Sequence, residues 1–161
     1  MVLKNKIPKI FLYLLYNDNR IRHKANFLIK IKKANNYKLL QYIIRESLRK
    51  KNHIIIGKNS KIGSLKLPHP HNVVIGDCVQ IGENCTLYHD VTLGQNLGKF
   101  PQIGDNVIIY TGAKVIGNVT VGNNAVIGAN AVVVDDVPDN AIVAGNPASI
   151  IRHRKEQDEF Y

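Results

Sequence analysis

Residues 103–134 read IGDNVIIYTGAKVIGNVTVGNNAVIGANAVVV, and their spacing decides the fold. Ile103, Ile109, Val115, Val121, Ile127 and Val133 stand six residues apart, and a smaller set, Val107, Ala113, Val119, Ala125 and Ala131, precedes each of the last five by two. Glycine follows the large aliphatic residue at Gly104, Gly122 and Gly128. A strand repeats every two residues and a helix every 3.6, so a sustained six with glycine in fixed phase is neither alone. It fits a solenoid of short strands and turns. Each flat face takes one large aliphatic residue inward and a small one near the corner, where glycine or asparagine can adopt positive φ. Three such faces close a triangular coil of about 18 residues.

Toward the N-terminus the phase continues through Leu93, Leu87, Ile81 and Ile75, with Val91, Cys85 and Val79 as the small column. It breaks twice. Leu93 to Ile103 is ten residues, one hexapeptide plus four, so Gln95 to Pro101 is expected to bulge from a corner as a loop. Ile62 to Ile75 is 13, one more than two hexapeptides, and the extra residue is expected within Leu67-Pro68-His69-Pro70-His71. Departures from a solenoid's period are where chemistry is usually mounted.

The first 53 residues use a different backbone chemistry. All 12 glycines lie between Gly57 and Gly145, and the formal charge of +10 is equally uneven: residues 1–53 hold 14 basic and 2 acidic side chains, residues 54–161 hold 8 and 10. Ile10 to Tyr16, Ala25 to Ile31, and Leu39, Leu40, Ile43, Ile44 and Leu48 at helical spacing read as two or three helices. The division is therefore a basic helical cap (1–53), a solenoid (54–151) and a short tail (152–161). The cap would cover the exposed strand edges of the first coil. Its basic face is either a solvated surface or a peripheral contact with anionic lipid, each basic residue near such a surface contributing about 1 kcal/mol.

Several classes are excluded. With 161 residues, 45% of them hydrophobic, the chain can bury a core. No apolar run approaches the roughly 20 residues of a membrane span, and no signal-peptide cleavage pattern follows the first one. Cys78 and Cys85 cannot make a disulfide framework, which points to a cytoplasmic protein, at most peripheral at the membrane's inner face. The solenoid is net acidic and lacks aromatic stacking motifs, so nucleic acid is not an expected partner.

The repeat resembles the left-handed parallel β-helix of the hexapeptide-repeat acyltransferases, over residues 56 to about 151 or roughly five coils. Within that group, Leu67-Pro68-His69-Pro70-His71-Asn72-Val73-Val74-Ile75-Gly76 and Leu87-Tyr88-His89-Asp90-Val91-Thr92-Leu93-Gly94 are similar to the serine O-acetyltransferase branch. The resemblance implies a homotrimer with sites between neighbouring β-helices, acetyl-CoA as co-substrate, no metal, and direct transfer in a ternary complex. It also implies His69 as the general base, a task suited to a histidine, whose ordinary pKa lies near neutrality. Residues 18 apart stack on adjacent coils, so His71 lies below His89. Allowing for the four-residue insertion, the column continues through Thr111 and Ala129, which match acetyl-CoA contacts in the family. His89 should then sit at the reacting end of the groove, as acceptor ligand or base.

The closing stretch, Gly128 to Val133, Asp136 to Asn140 and Gly145-Asn146-Pro147-Ala148, is similar to the last coil of acetyl-CoA-dependent members. That similarity assigns Thr111, Ala129, Val134, Ser149 and Arg152 to the pantetheine and nucleotide path, with Arg152 suited to phosphate. The alternative is a basic flank without a ligand. His23, His53 and His153 are read as surface residues, Cys85 as inward and Cys78 as a turn residue.

The acceptor reading turns on departures from the branch. Pro68 and Ile55 stand where serine acetyltransferases carry aspartates, and Phe100 stands where a histidine helps hold the amino acid. An aromatic ring can stack on a sugar, so the expected activity is O-acetylation of a sugar or polysaccharide unit of capsule or O-antigen type, with His71, Asp90 and Phe100 as acceptor contacts. The alternatives are serine O-acetylation, a zinc enzyme like the γ-class carbonic anhydrases, whose next ligand would fall on Gly94, and a non-catalytic scaffold.

Overall fold

The computed structural model describes residues 37–155. The basic segment before Tyr37, with the two expected helices at Ile10–Tyr16 and Ala25–Ile31, lies outside the described residues, as do residues 156–161. Helix α1, Tyr37–Asn52, ends in Arg49, Lys50 and Lys51, cations that complement the negative end of the helix dipole. Its Leu48 is buried in the core, and the Leu48 carbonyl accepts from Ile54 N–H at 3.3 Å, turning the chain into the first coil.

From there the chain winds a left-handed parallel β-helix of about five coils. The first face stacks Ile55–Ile56, Val74–Ile75, Thr92–Gly94, Lys114–Ile116 and Val132–Val133 in parallel register. The second stacks Lys61–Ile62, Gln80–Ile81, Gln102–Ile103 and Thr120–Val121. The third stacks Leu65–Lys66, Cys85–Leu87, Ile108–Ile109, Val126–Ile127 and Ala141–Gly145, and is closed by Ala148–His153, which pairs antiparallel to its neighbour and runs through Arg152 and His153.

The six-residue columns are the core. Ile75, Leu87, Leu93, Ile109, Val115, Val121 and Ile127 are fully buried, and so are Val79, Cys85, Val91, Val107, Ala113, Ala125 and Ala131 beside them. Each Leu or Ile so buried contributes about 1.5–3 kcal/mol. No polar or charged side chain is buried among the described residues. Glycine is required where coils touch: a Cβ on Gly104 would lie 2.6 Å from Asn123 Oδ1 and 3.0 Å from Asn123 N. One corner carries a ladder of asparagines at positive φ, Asn84, Asn106, Asn124 and Asn140, whose side-chain amides bond from coil to coil at 3.1–3.5 Å. Left-handed corners favour Asn, and the ladder satisfies its amides.

Both phase breaks appear as loops or shifts in register, one differently from expectation. Gln80 pairs with Gln102, so the four added residues bulge between Gly94 and Gln102 as anticipated. Asn96 and Lys99 close them with reciprocal backbone bonds of 3.0 Å. The break near the histidines is a sum of two changes. Ile62 pairs with Ile81 but Leu65 with Cys85, so the first coil lacks one residue at that corner. Ile75 then pairs with Leu93, so two residues, not one, are added between Leu67 and Val73. Counting along the chain gives only the difference of the two.

Candidate active site

The two added residues lift Pro68 to Asn72 out of the coil. Leu67 and Val73 on either side remain buried, while His69 and His71 are exposed. His69 is therefore presented outward and takes no part in the core. Its ring lies 5.9 Å from that of His89 on the next coil, edge to face, and 6.1 Å from Tyr88. The expected column is present: Asp90 N–H reaches His71 O at 3.2 Å, Gly112 N–H reaches His89 O at 3.0 Å, and Asn130 N–H reaches Thr111 O at 2.9 Å. His71, His89, Thr111 and Ala129 thus follow one another along one corner, between the third and first faces.

The corner around His89 is held from several directions. Thr111 Oγ1 donates to His89 O at 3.1 Å, and Asn72 Nδ2 donates to Asp90 Oδ1 at 2.8 Å. Lys114 Nζ donates to Asp90 O at 2.7 Å and to Gly112 O at 2.8 Å, joining two successive corners whose residues have φ of 60° and 73°. His89 Nε2 is 3.9 Å from Asp90 Oδ2, and His89 Nδ1 is buried with no hydrogen-bond partner among the described residues. An unpaired buried ring nitrogen adds nothing to stability, so its presence beside His69 fits a functional position.

Sequence reasoning missed Tyr88, Tyr110 and Lys114. The two tyrosine rings stack at 5.1 Å and 16°, extending from His69 along the coil axis. The available signal was their separation of 22, one coil plus the four-residue insertion, the same that relates His89 to Thr111.

Other anticipated residues lie elsewhere. Phe100 is half-buried and packs on the core, its Cδ1 3.7 Å from a Cβ placed on Gly76, so its ring seats the loop. It lies at the far edge of the first face from His89, across four residues or roughly 13 Å of strand. Val134 is 49% exposed and follows the last strand of that face, at the same far edge. Ser149 and Arg152 are exposed on the closing strand of the third face, opposite Ala144 and Ile142. Ser149 lies near the Ala129 end of the column, since its partner Ala144 packs against Gly128, but Val134 stands at the opposite edge of the first face, so one chain does not gather all five residues assigned to acetyl-CoA into a single groove.

Cys78 is exposed on a turn. Cys85 is buried, donates to Gly104 O at 3.1 Å, and its thiol is pushed up to about 11, first by desolvation, so it is a poor nucleophile near neutrality. Among the described residues no three His, Cys, Asp or Glu side chains converge to hold a metal, and no helix is long and apolar enough to cross a membrane.

Residues 100–135 match the family model for bacterial transferase hexapeptide (six repeats). A serine acetyltransferase of Staphylococcus xylosus is 40% identical over 125 residues, covering 72% of this chain and 58% of its own length. One of Staphylococcus aureus is 46% identical over 104 residues, covering 62% and 49%. Among solved structures, Neisseria gonorrhoeae serine acetyltransferase superposes with a TM-score of 0.69 at 31% identity, over 86% of this chain and 52% of that one. A serine acetyltransferase in complex with CoA gives 0.65 at 31%, over 78% and 53%. The chain spans about half the length of the relatives it matches. These matches overturn the expected sugar or polysaccharide acceptor and the place in polysaccharide biosynthesis that went with it. The expectation leaned on Phe100 as a stacking surface, and that ring is packed against the core instead.

Proposed function

We propose that this chain, a hexapeptide-repeat β-helix related to the serine acetyltransferases, transfers acetyl from acetyl-CoA to the hydroxyl of serine, with His69 as general base. The observation that carries the reading is the outward corner at His69, with His89 and Tyr88 against it and the column of Thr111 and Ala129 leading away. A structure of one relative holds CoA and one of Neisseria gonorrhoeae holds serine.

In this reading His69 takes the acceptor's hydroxyl proton as the oxygen attacks the thioester carbonyl. The tetrahedral oxyanion collapses, the C–S bond breaks, and the proton passes from His69 to the departing thiolate. Transfer is direct in this reading: burial keeps the Cys85 thiol protonated and inward, and Cys78, though exposed, stands on the turn beyond the first face, across it from the histidine corner. Pro68 and Ile55 leave His69 without the carboxylates of the family's pattern, and His89 backed by Asp90 is the group beside it that takes over its orientation. Small, exposed Ala129 leaves room for pantetheine, and Arg152 suits the nucleotide phosphates. Because Val134 and the loop lie across the first face from His89, the groove is completed when the histidine corner of one copy meets the loop edge of another, in a homotrimer.

Free-thiol release from acetyl-CoA, with and without serine, tests the reading. Serine should raise the rate well above hydrolysis, and His69→Ala should lower kcat by about 10²–10⁴, the usual contribution of a general base. Equal rates in wild type and His69→Ala would overturn it.

A further inference from the structure

At every later corner of the histidine column, the backbone N–H at the left-handed position bonds to a carbonyl on the coil below: Asp90 to His71, Gly112 to His89, Asn130 to Thr111. Asn72, with φ of 56°, holds the same position one corner earlier, in register above His53, which is also left-handed with φ of 53°. Its N–H bonds in the same way to Asn52 O at 2.8 Å. The last residue of helix α1 thus begins the column, in the place that His71 takes on the next coil. It also makes a contact the other corners lack, because only this corner carries two added residues: Asn52 Nδ2 donates to Pro70 O at 2.8 Å. Pro70 directly follows His69, and His71 N–H closes back on His69 O at 2.8 Å, so the chain leaving His69 is held at two successive carbonyls. The ring of His53, the next residue after α1, meets that of His71 edge to face at 5.4 Å.

We propose that Asn52 is a positioning residue for His69, so that helix α1 belongs to the catalytic apparatus and does more than cover the first coil. Asn52 touches neither substrate nor the reacting atoms. Its carboxamide fixes the Pro70 peptide and with it the direction in which His69 leaves the corner. The proposal rests on His69 being the base, and a misplacement of about 1 Å at such a group lowers turnover by up to about 100-fold.

The test compares Asn52→Ala, Asn52→Asp and Asn52→Gln in the full chain. Ala removes the donor, Asp keeps the size but supplies only acceptors, and Gln keeps a donor on a longer arm. The first two should lower kcat about ten- to hundred-fold, with KM for acetyl-CoA and the thermal midpoint close to wild type, and Gln should recover part of the loss. Wild-type kcat in Asn52→Asp overturns the proposal, as does a loss in all three that follows the loss of folded protein. A readout independent of turnover is the ¹³C-labelled His69 ring resonance, assigned with His69→Gln. It should move in Asn52→Ala and Asn52→Asp while that of His153, on the closing strand, stays in place, and an unmoved His69 signal refutes the positioning role. If wild type does not acetylate serine, the functional reading fails, and the positioning role is decided by that resonance alone.

Discussion

Replacing Lys114 by methionine keeps the aliphatic stem and removes the ammonium that joins two corners of the histidine column. Two hydrogen bonds are lost, at 2.7 Å to Asp90 O and 2.8 Å to Gly112 O. Bonds from a charged donor contribute about 1.5–3 kcal/mol each when their partners are left dry. Lys114 is only half-buried, so water can reach both carbonyls, and a combined loss of about 2 kcal/mol is the reasoned value. Asp90 also sits at φ of 60°, a conformation that L residues hold at a cost, and without the ammonium its peptide can relax. The readout is urea unfolding at fixed protein concentration, since association would make stability concentration-dependent. Lys99→Met, on the exposed loop, is the control and should change stability by less than about 0.5 kcal/mol. The same relaxation moves His89, whose carbonyl accepts from Gly112 N–H, so kcat/KM should fall about tenfold or more. A Lys114→Met protein within about 0.5 kcal/mol of wild type would refute the claim that this ammonium holds the corner.

Three further outcomes follow from the same geometry. His89→Ala should lower kcat, but by less than His69→Ala, as expected of a group that orients the base; a larger loss at His89, read by thiol release, would exchange the two roles. Gly104→Ala should destabilise by about 2–4 kcal/mol in urea melts, because its Cβ displaces the Asn123 side chain and breaks the 2.8 Å bond from Asp105 N–H to Asn123 Oδ1. Gly98→Ala has open space around it and should show only the strain of its positive φ. For Cys85, the folded thiol is raised from an ordinary 9.0 to about 11, so the folded state holds its proton more tightly. That contribution is intact below about pH 9 and is lost as pH rises toward 11, on the order of 2 kcal/mol. Cys85→Ala should flatten that part of the stability profile in urea melts between pH 8 and 11, and an identical slope would contradict the burial argument.

How much of the site was legible depended on how each residue is held. His89 and Thr111 were readable because both lie in phase with the repeat, where position in the chain fixes the corner. The mode of departure at His69 was not, because one missing residue near Ser64 and two added ones near Pro70 leave only their difference in the count. Phe100 was read as a stacking ring because its residue type allows it, whereas its direction depends on how the loop closes over Gly76. Asn52 carried no signal, since it ends a helix ahead of the repeat, although its separation of 18 from Pro70 is the one that stacks residues on adjacent coils.

The sequence by itself determined the coil. In a solenoid each residue's inward or outward direction repeats with the period, so Ile75 through Val133 could be placed in the core before any contact was known. Tertiary structure alone decided what meets what across the coils. The His69–His89–Tyr88 cluster, the Lys114 bridge and the tie from Asn52 each depend on the offset between neighbouring turns and on the direction a side chain takes when it leaves a corner. Insertions set the offset, and hydrogen bonds from other coils or from the helix set the direction, so neither is encoded in the period.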